Sequence, residues 1–464
     1  MQNMNKLRSM GVQAPKGAAR KSYLASKIRQ ANAFYNDRET KDLKFKKLGA
    51  SSFSFFRGTP DIFFYDLDKY IIVPEEWKGQ SGLTTWVQGD AHIQNVGFYH
   101  NSEGECVFDL NDLDSAFIGP FYWDLLRFLT SLFLERDNSG QLADLPDEKL
   151  KQSALVFLDA YRSTLADVNC ASIPSTAELT KERLKGFTRR VMKELAKGSH
   201  ASLLDKWTKV KDGVRVLRRR KTKYRALSEE ERQQFEAAWH SYPASLAEFA
   251  EDRLSVSPGY WRIKDVAYRI NQGTASLGTT RYHVLLEGSP DGPDGDILLD
   301  VKQQLPPPML AADQALRERY EELFGHRHGE RARVAHDALT GDKDLYAGVL
   351  TLDNVEYAVR SISPFKGDYT DVGGFGGQKD LDNYLSHAGQ AYALAHARSD
   401  NSFHAGYVPH SFEDAFAAAM DDEAWSRFCD ELLELSFQYY EQVKSDYQLL
   451  AGDLLSGTLL GTHA

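Results

Sequence analysis

Cysteine is scarce: Cys106, Cys170 and Cys429 are the only three in 464 residues and lie far apart. Their spacing excludes a disulfide framework and a zinc knuckle, and it fits a reducing compartment. Long apolar runs are missing as well, since no stretch approaches the roughly 18–20 residues that spanning a bilayer requires. The opening MQNMNKLRSMG carries no apolar segment of a secretory leader. Together these absences predict a soluble cytoplasmic protein with no membrane partner. Positive charge is not in excess either. With 56 Lys and Arg against 66 Asp and Glu, the net charge of −10 argues against a chain that coats nucleic acid as a whole. We find no internal repeat and no long low-complexity tract. What remains is globular composition, 42% hydrophobic and 26% charged, which excludes a disordered or fibrous chain and suffices for one large or two to three smaller compact units.

Composition shifts divide the chain. Residues 1–48 are polar and basic and read as an N-terminal arm. Residues 49–140 alternate aromatic and β-branched runs with turns, and Thr84–Gln88 and Glu105–Leu110 read as strands. Residues 141–257 read as a helical insert. Within it, 181–225 hold about seventeen Lys and Arg against four Asp and Glu. Residues 258–370 read as a β-rich unit: VAYRINQG, TTRYHVLLEG and ILLDVKQ are separated by turn signals, and Tyr346–Leu352 and Glu356–Ile362 follow as two further strands. Residues 371–464 are helical by their apolar spacing.

The chemistry begins near residue 90. Gly89-Asp-Ala-His-Ile-Gln-Asn95 sets Asp90 and Asn95 five apart in a loop leaving a strand, and Phe108-Asp-Leu-Asn-Asp-Leu-Asp114 follows one hairpin later. Phosphoryl transfer calls for such a set, because one carboxylate orients and deprotonates the acceptor while an amide and further carboxylates hold magnesium against phosphate oxygens. Asp90 is therefore the candidate base, with Asn95, Asp112 and Asp114 the candidate metal ligands. Asp109 is the weaker alternative to Asp114. The bland reading of each is a turn residue bonding its own backbone. The order Asp90, Asn95, Asp112, then Gly119-Pro120 and Asp124, is harder to assemble by chance than any single match. His92 in so tight a loop reads as structural.

A nucleotide clamp is sought downstream. Gly273, Thr274, Ala275 and Ser276, with Gly278, form a loop of small residues between strand patterns, where backbone amides could approach phosphates. Val301-Lys302 ends a following strand, and Lys302 is the candidate phosphate lysine. Taken alone, this is an ordinary hairpin with a solvated lysine; paired with the acidic loop it gains weight. Glu330 and Asp337 are candidates for the carboxylate that would hold the lysine. Ser363–Lys366 stands where a segment bordering adenine would lie.

The acidic loop precedes the glycine loop, the reverse of ordinary kinases. The expected fold is therefore α+β, a protein-kinase-like two-lobe architecture that is circularly permuted and carries extra helices. Phe55-Phe-Arg57-Gly58, Gly89-Asp-Ala-His-Ile-Gln-Asn95, Phe108–Asp114 with Gly119-Pro120 and Trp123-Asp124, Val301-Lys302, Tyr357-Ala-Val-Arg360 and Ala395-His-Ala-Arg398-Ser together resemble the uncharacterised bacterial family catalogued as domain of unknown function 2252, grouped with kinase-like proteins. The resemblance spans about Ser52 to Tyr440 and implies a kinase-like fold similar to that of aminoglycoside phosphotransferases. It departs after Lys302, where Gln303-Gln304 stand in place of Lys-Glu-Ala. In the same pattern Arg57 and Arg360 become candidate phosphate contacts, or else structural partners of a buried carboxylate such as Asp124. The expected function is an ATP- and Mg²⁺-dependent phosphotransferase acting on a hydroxyl of a small molecule or a protein. Transfer of AMP on the same fold is the alternative within enzymes. A pseudokinase, or a scaffold binding nucleic acid through residues 181–225, is the alternative outside them.

Overall fold

The computed structural model describes residues 10–33, 38–78, 81–138, 140, 142–246, 261–270, 277–288, 293–311 and 313–460. Helices and antiparallel strands are mixed along the chain, an α+β arrangement. The largest cluster of buried apolar side chains is helical. Its centre is the pair Asp147–Asn169 and Gln378–Arg398. These cross closely because Gly389 faces the Phe157 carbonyl, where an added Cβ would stand 2.3 Å from the oxygen. Along one side runs the helix Asp422–Ser456, with Trp425, Phe428, Leu432, Leu435, Tyr439 and Val443 buried at three- and four-residue spacing. The Asp421 side chain caps its start and the left-handed Gly457 ends it.

Six antiparallel strands form the main sheet, in the order Gly348–Leu352, Val355–Ser361, Ile297–Gln303, Arg281–Leu286, Ile263–Arg269 and Tyr224–Arg225. The first two are joined by Asp353-Asn354, both at positive φ, the turn that suits the twist of a tight hairpin. Alternation sorts the side chains. Val284, Leu299, Val301 and Val359 pack on Phe235, Trp239 and Tyr242 on one face. The opposite face is apolar only at one end, where Leu285 and Leu298 meet Leu204 and Leu217. Further along that face the pairs Arg281 with Lys302, His283 with Asp300, and Asp300 with Arg360 are charged or polar. A period of two thus gives the sheet a dry face and a face with a charged end.

Two organisational expectations are corrected. The described part of residues 1–48 is not a projecting arm. Its helices Gly17–Ala31 and Arg38–Leu48 bury Leu24, Ile28, Phe45 and Leu48 in the main core. The insert 141–257 is not wholly helical. After the helices Gly186–Leu195 and His200–Trp207, Thr208–Lys211 and Val214–Leu217 form a hairpin turned at Asp212-Gly213, and Tyr224–Arg225 joins the main sheet as its edge. There the Asp-Gly turn and a short alternation override the helical pattern expected of the insert. Within 371–464, where helix is expected, Gln378–Arg398, Phe412–Ala419 and Asp422–Ser456 are helices and 405–411 is a turn and coil segment. No described helix is long and apolar enough to cross a membrane.

The N-terminal helix is tied down by charge. Arg20, fully buried, pairs with Asp66 at 2.5 Å and with Asp446 of the long helix at 2.6 Å. Burial alone would lower the Arg20 pKa, but the two carboxylates raise it well above its ordinary value. Removing the cation would strand two buried acids. We therefore expect Arg20→Met to cost about 3–5 kcal/mol in urea-induced unfolding; a loss below about 1 kcal/mol would show that the triad does not anchor this helix.

Candidate active site

The loop around residue 90 is held by a carboxylate lying outside it. The strand Thr84–Val87 pairs with Phe117–Pro120 and hands the chain to Gln88. Gly89 turns it at φ +76°, where a Cβ would come within 2.4 Å of the Ser115 carbonyl. Asp124, in the first turn of the helix Tyr122–Asn138, accepts from the amides of Gln88 at 2.6 Å and Gly89 at 3.0 Å. Its Oδ2 also lies 3.3 Å from His396 Nε2, whose ring meets the Tyr161 hydroxyl through Nδ1. Each such charge-assisted bond contributes on the order of 1.5–3 kcal/mol. Gln88 then fastens two loops at once, its Nε2 donating to the carbonyls of Asn95 at 2.9 Å and Asp112 at 3.1 Å. The hairpin Val96–His100 with Cys106–Leu110 delivers Asp112 and Asp114 beside Asp90.

A cavity of about 780 Å³ opens there, and Asp90, Asn95, Asp112, Asp114, Lys302 and Arg57 all line it. Asp90 accepts from Arg127 at 2.6 Å. Burial pushes the Asp90 carboxyl above its usual range; Arg127 opposes this and Asp112 adds to it. Asn95 donates its Nδ2 to the Asp90 carbonyl at 2.9 Å, so its Oδ1 is the atom left for a ligand. Lys302 forms an ion pair with Asp114, 188 residues away in the chain, and Gln304 supports the same carboxylate at 3.3 Å. Burial would lower the lysine's pKa, yet Asp114 and Asp112 raise it. Burial would likewise raise Asp114, but Lys302 and Arg360 hold it well below the carboxylate range. The buried Arg331 braces this contact from behind, donating to the carbonyls of Asp114 at 2.7 Å and Leu305 at 2.9 Å.

Several expected roles change. Neither Glu330 nor Asp337 holds Lys302. Both pair with Arg333 instead, at 2.8 and 2.7 Å, and Asp114 takes the lysine. Asp114, expected as a metal ligand, therefore has its oxygens committed to Lys302 and Gln304. Arg57 reaches the cavity and donates to Gln94 Oε1, whereas Arg360 lines a second cavity. Neither arginine pairs with Asp124. Gly278 lies against the helix Arg38–Leu48, in a groove with Glu39 and Lys46; Gly273, Thr274, Ala275 and Ser276 lie outside the described residues. Asp109 is spoken for by Arg398 at 2.7 Å. His92 accepts from the Gln94 amide at 3.2 Å and caps a short turn, the structural role expected of it.

Sequence reading missed Gln88, Arg127 and Arg331. Arg127 carried a signal, a lone cation inside the apolar run of the Tyr122–Asn138 helix, where a buried partner is required. Gln88 and Arg331 act mainly through backbone carbonyls, which leave no trace in side-chain patterns. In the basic segment, Arg215 pairs with Asp294, Arg219 with Asp265 and Arg225 with Glu231. Those cations are turned to partners in the protein rather than arrayed for a polyanion.

Among the described residues no three His, Cys, Asp or Glu side chains group closely enough to hold a metal by themselves. Asn95 Oδ1 and the Asp112 carboxylate are hard oxygen donors on residues that line the same cavity. They suit magnesium, which binds through one or two protein ligands together with phosphate oxygens.

A family model described as an uncharacterised protein conserved in bacteria (DUF2252) matches residues 37–453. No curated protein and no solved structure matches the chain.

The Lys302–Asp114 pair can be tested without any assumption about reaction. In Asp114→Asn the lysine loses the main charge that raises its pKa, so burial dominates and the free amine appears at lower pH. Mass-spectrometric labelling with an amine-acylating reagent should show Lys302 reacting at a lower pH in the variant than in the parent. Identical labelling profiles would contradict the pairing.

Proposed function

We propose that this chain, which belongs to the DUF2252 family of bacterial proteins, is a nucleoside-triphosphate-dependent phosphotransferase with a kinase-like division of labour. The observation that carries this reading is that one cavity is lined by Asp90, Asn95, Asp112 and Lys302. Lys302 comes from the charged end of the sheet, and the acidic and amide groups come from two loops earlier in the chain. Their order along the polypeptide is the reverse of that in ordinary kinases, so the proposal includes a circularly permuted two-lobe fold. Permutation is physically permissible where the same elements can still pack.

Each residue has a defined task. Asp90, fixed by Arg127, receives the proton of an acceptor hydroxyl. Lys302, oriented by Asp114, offers its ammonium to phosphate oxygens of the nucleotide. Asn95 and Asp112 would hold Mg²⁺, which supplies charge neutralisation at those oxygens when bound. In the transfer the acceptor oxygen bonds to the γ-phosphorus, the bond from that phosphorus to the β,γ-bridging oxygen breaks, and ADP leaves with the electron pair. The acceptor is a hydroxyl on a small molecule or a protein. A complete acidic set facing a charged lysine favours an active enzyme over a pseudokinase scaffold.

Asp90→Asn and Asp112→Asn should each reduce ATP turnover by about 10²-fold or more; Asp112→Asn should keep the parent urea midpoint, whereas Asp90→Asn should lower it because the buried Arg127 loses its counter-charge. Undiminished turnover in both would overturn the assignment. Label on the γ-phosphate should reach the acceptor; label from the α-phosphate there would show transfer of AMP instead.

A further inference from the structure

A second cavity, of about 340 Å³, is lined by Arg281, Asp300 and Arg360 from the same charged end of the sheet and by Asn111, the neighbour in sequence of the Asp112 that lines the first. Arg269, Arg281, Arg360 and Lys366 line it, with Asp300, Asp342 and Asp344 as its acids. The acids are already engaged. Asp300 receives both nitrogens of Arg281 at 2.5 Å. Asp342 accepts from the amides of Ser102 at 2.6 Å and Lys343 at 2.9 Å. Asp344 accepts from the amides of Ser361 at 2.8 Å and Tyr346 at 2.9 Å. Arg269 is stacked over Trp207 and Tyr224. Among the described residues, Arg360 and Lys366 alone of the four cations make no side-chain hydrogen bond, ion pair or ring contact; Arg360 acts on Asp114 only through space. The surrounding protein atoms lower the Lys366 pKa, Arg360 adds to this and Asp112 acts the other way. On the same wall the buried Nδ1 atoms of His100 and His336 have no partner.

We propose that this cavity is a phosphate-binding subsite in which Arg360 and Lys366 grip a phosphoryl group. Two neighbouring cations left unpaired while nearby acids are saturated cost free energy that an anion would offset, and a guanidinium beside an ammonium matches phosphate oxygens. This lining suits phosphate better than the edge of an adenine, which was the expectation for Ser363–Lys366. Two sources share that chemistry: the terminal phosphates of a nucleotide lying with its tail towards Lys366, or a phosphate carried by the acceptor. The inference deepens the phosphotransferase reading and rests on it only in naming those sources.

Calorimetric titration of the full chain with inorganic pyrophosphate reads the site without turnover, so it stands or falls separately from the role of Asp90. Pyrophosphate should bind, and Lys366→Gln or Arg360→Gln should weaken it about tenfold or more, the loss of one charge-assisted contact. Lys209→Gln, on the exposed hairpin, removes the same charge and should leave the affinity unchanged. Lys366 is itself exposed, so its variant should keep the parent melting temperature. If ATP displaces pyrophosphate and both cavity variants lose ATP affinity, the source is the nucleotide tail. If ATP and pyrophosphate bind together and ATP affinity is kept, it is the acceptor. Absence of pyrophosphate binding at millimolar concentration, or equal affinity in parent and both cavity variants, would overturn the subsite.

Discussion

The contact between Lys302 and Asp114 is the constraint on which the cleft depends. Lys302 sits at the charged end of the sheet and Asp114 ends the loop that also carries Asp112. Closing that pair sets the distance between sheet and loops, and with it the width of the cavity in which Asp90, Asn95 and Arg57 also lie. The pair is supported from both sides, by Gln304 on the carboxylate and by Arg331 on the backbone. A half-buried ion pair gains little stability by itself, since desolvation offsets its attraction. Its value here is positional: an ammonium kept charged, at a fixed place, facing acidic oxygens.

The same logic recurs throughout the molecule. Arg20 between Asp66 and Asp446, Arg398 on Asp109, and Asp124 on two backbone amides are all buried charges with their partners in place. Each joins segments far apart in sequence. Arg20 binds the first described helix to the last long one, and Asp124 binds a loop to the helix that follows it. Against that pattern of direct pairing, Arg360 and Lys366 line one cavity with no side-chain hydrogen bond or ion pair of their own, although Asp114 and Asp112 act on them through space. Those two cations, one part-buried and one exposed, mark where an anion would be accommodated.

Much of this was legible from the amino acids because it is local. The strands of the main sheet follow period-two alternation, the long helix follows three- and four-residue spacing, and the acidic loop follows from Asp90, Asn95 and Asp112 within a few dozen residues. What was not legible is what depends on distance. The partner of Lys302 was sought on the following helix, where Glu330 and Asp337 are equally plausible in sequence, but both are closer to Arg333. The first 48 residues look polar, yet a few spaced apolar side chains and one arginine suffice to seat their described helices in the core. In residues 208–217 a two-residue turn and a brief alternation decide against helix despite dense charge. Backbone-directed side chains such as Gln88 and Arg331 gave no signal at all, because their partners are carbonyls that every residue possesses.

The central claim is that a nucleotide lies between Lys302 and the acidic loops. Calorimetric titration of the full chain with Mg·ATP, for the parent and for Lys302→Met, tests it most directly. The account predicts binding by the parent and an affinity reduced about tenfold or more when the ammonium is removed, with the variant still folded by its melting curve. Equal affinity for Mg·ATP in the two proteins would contradict it.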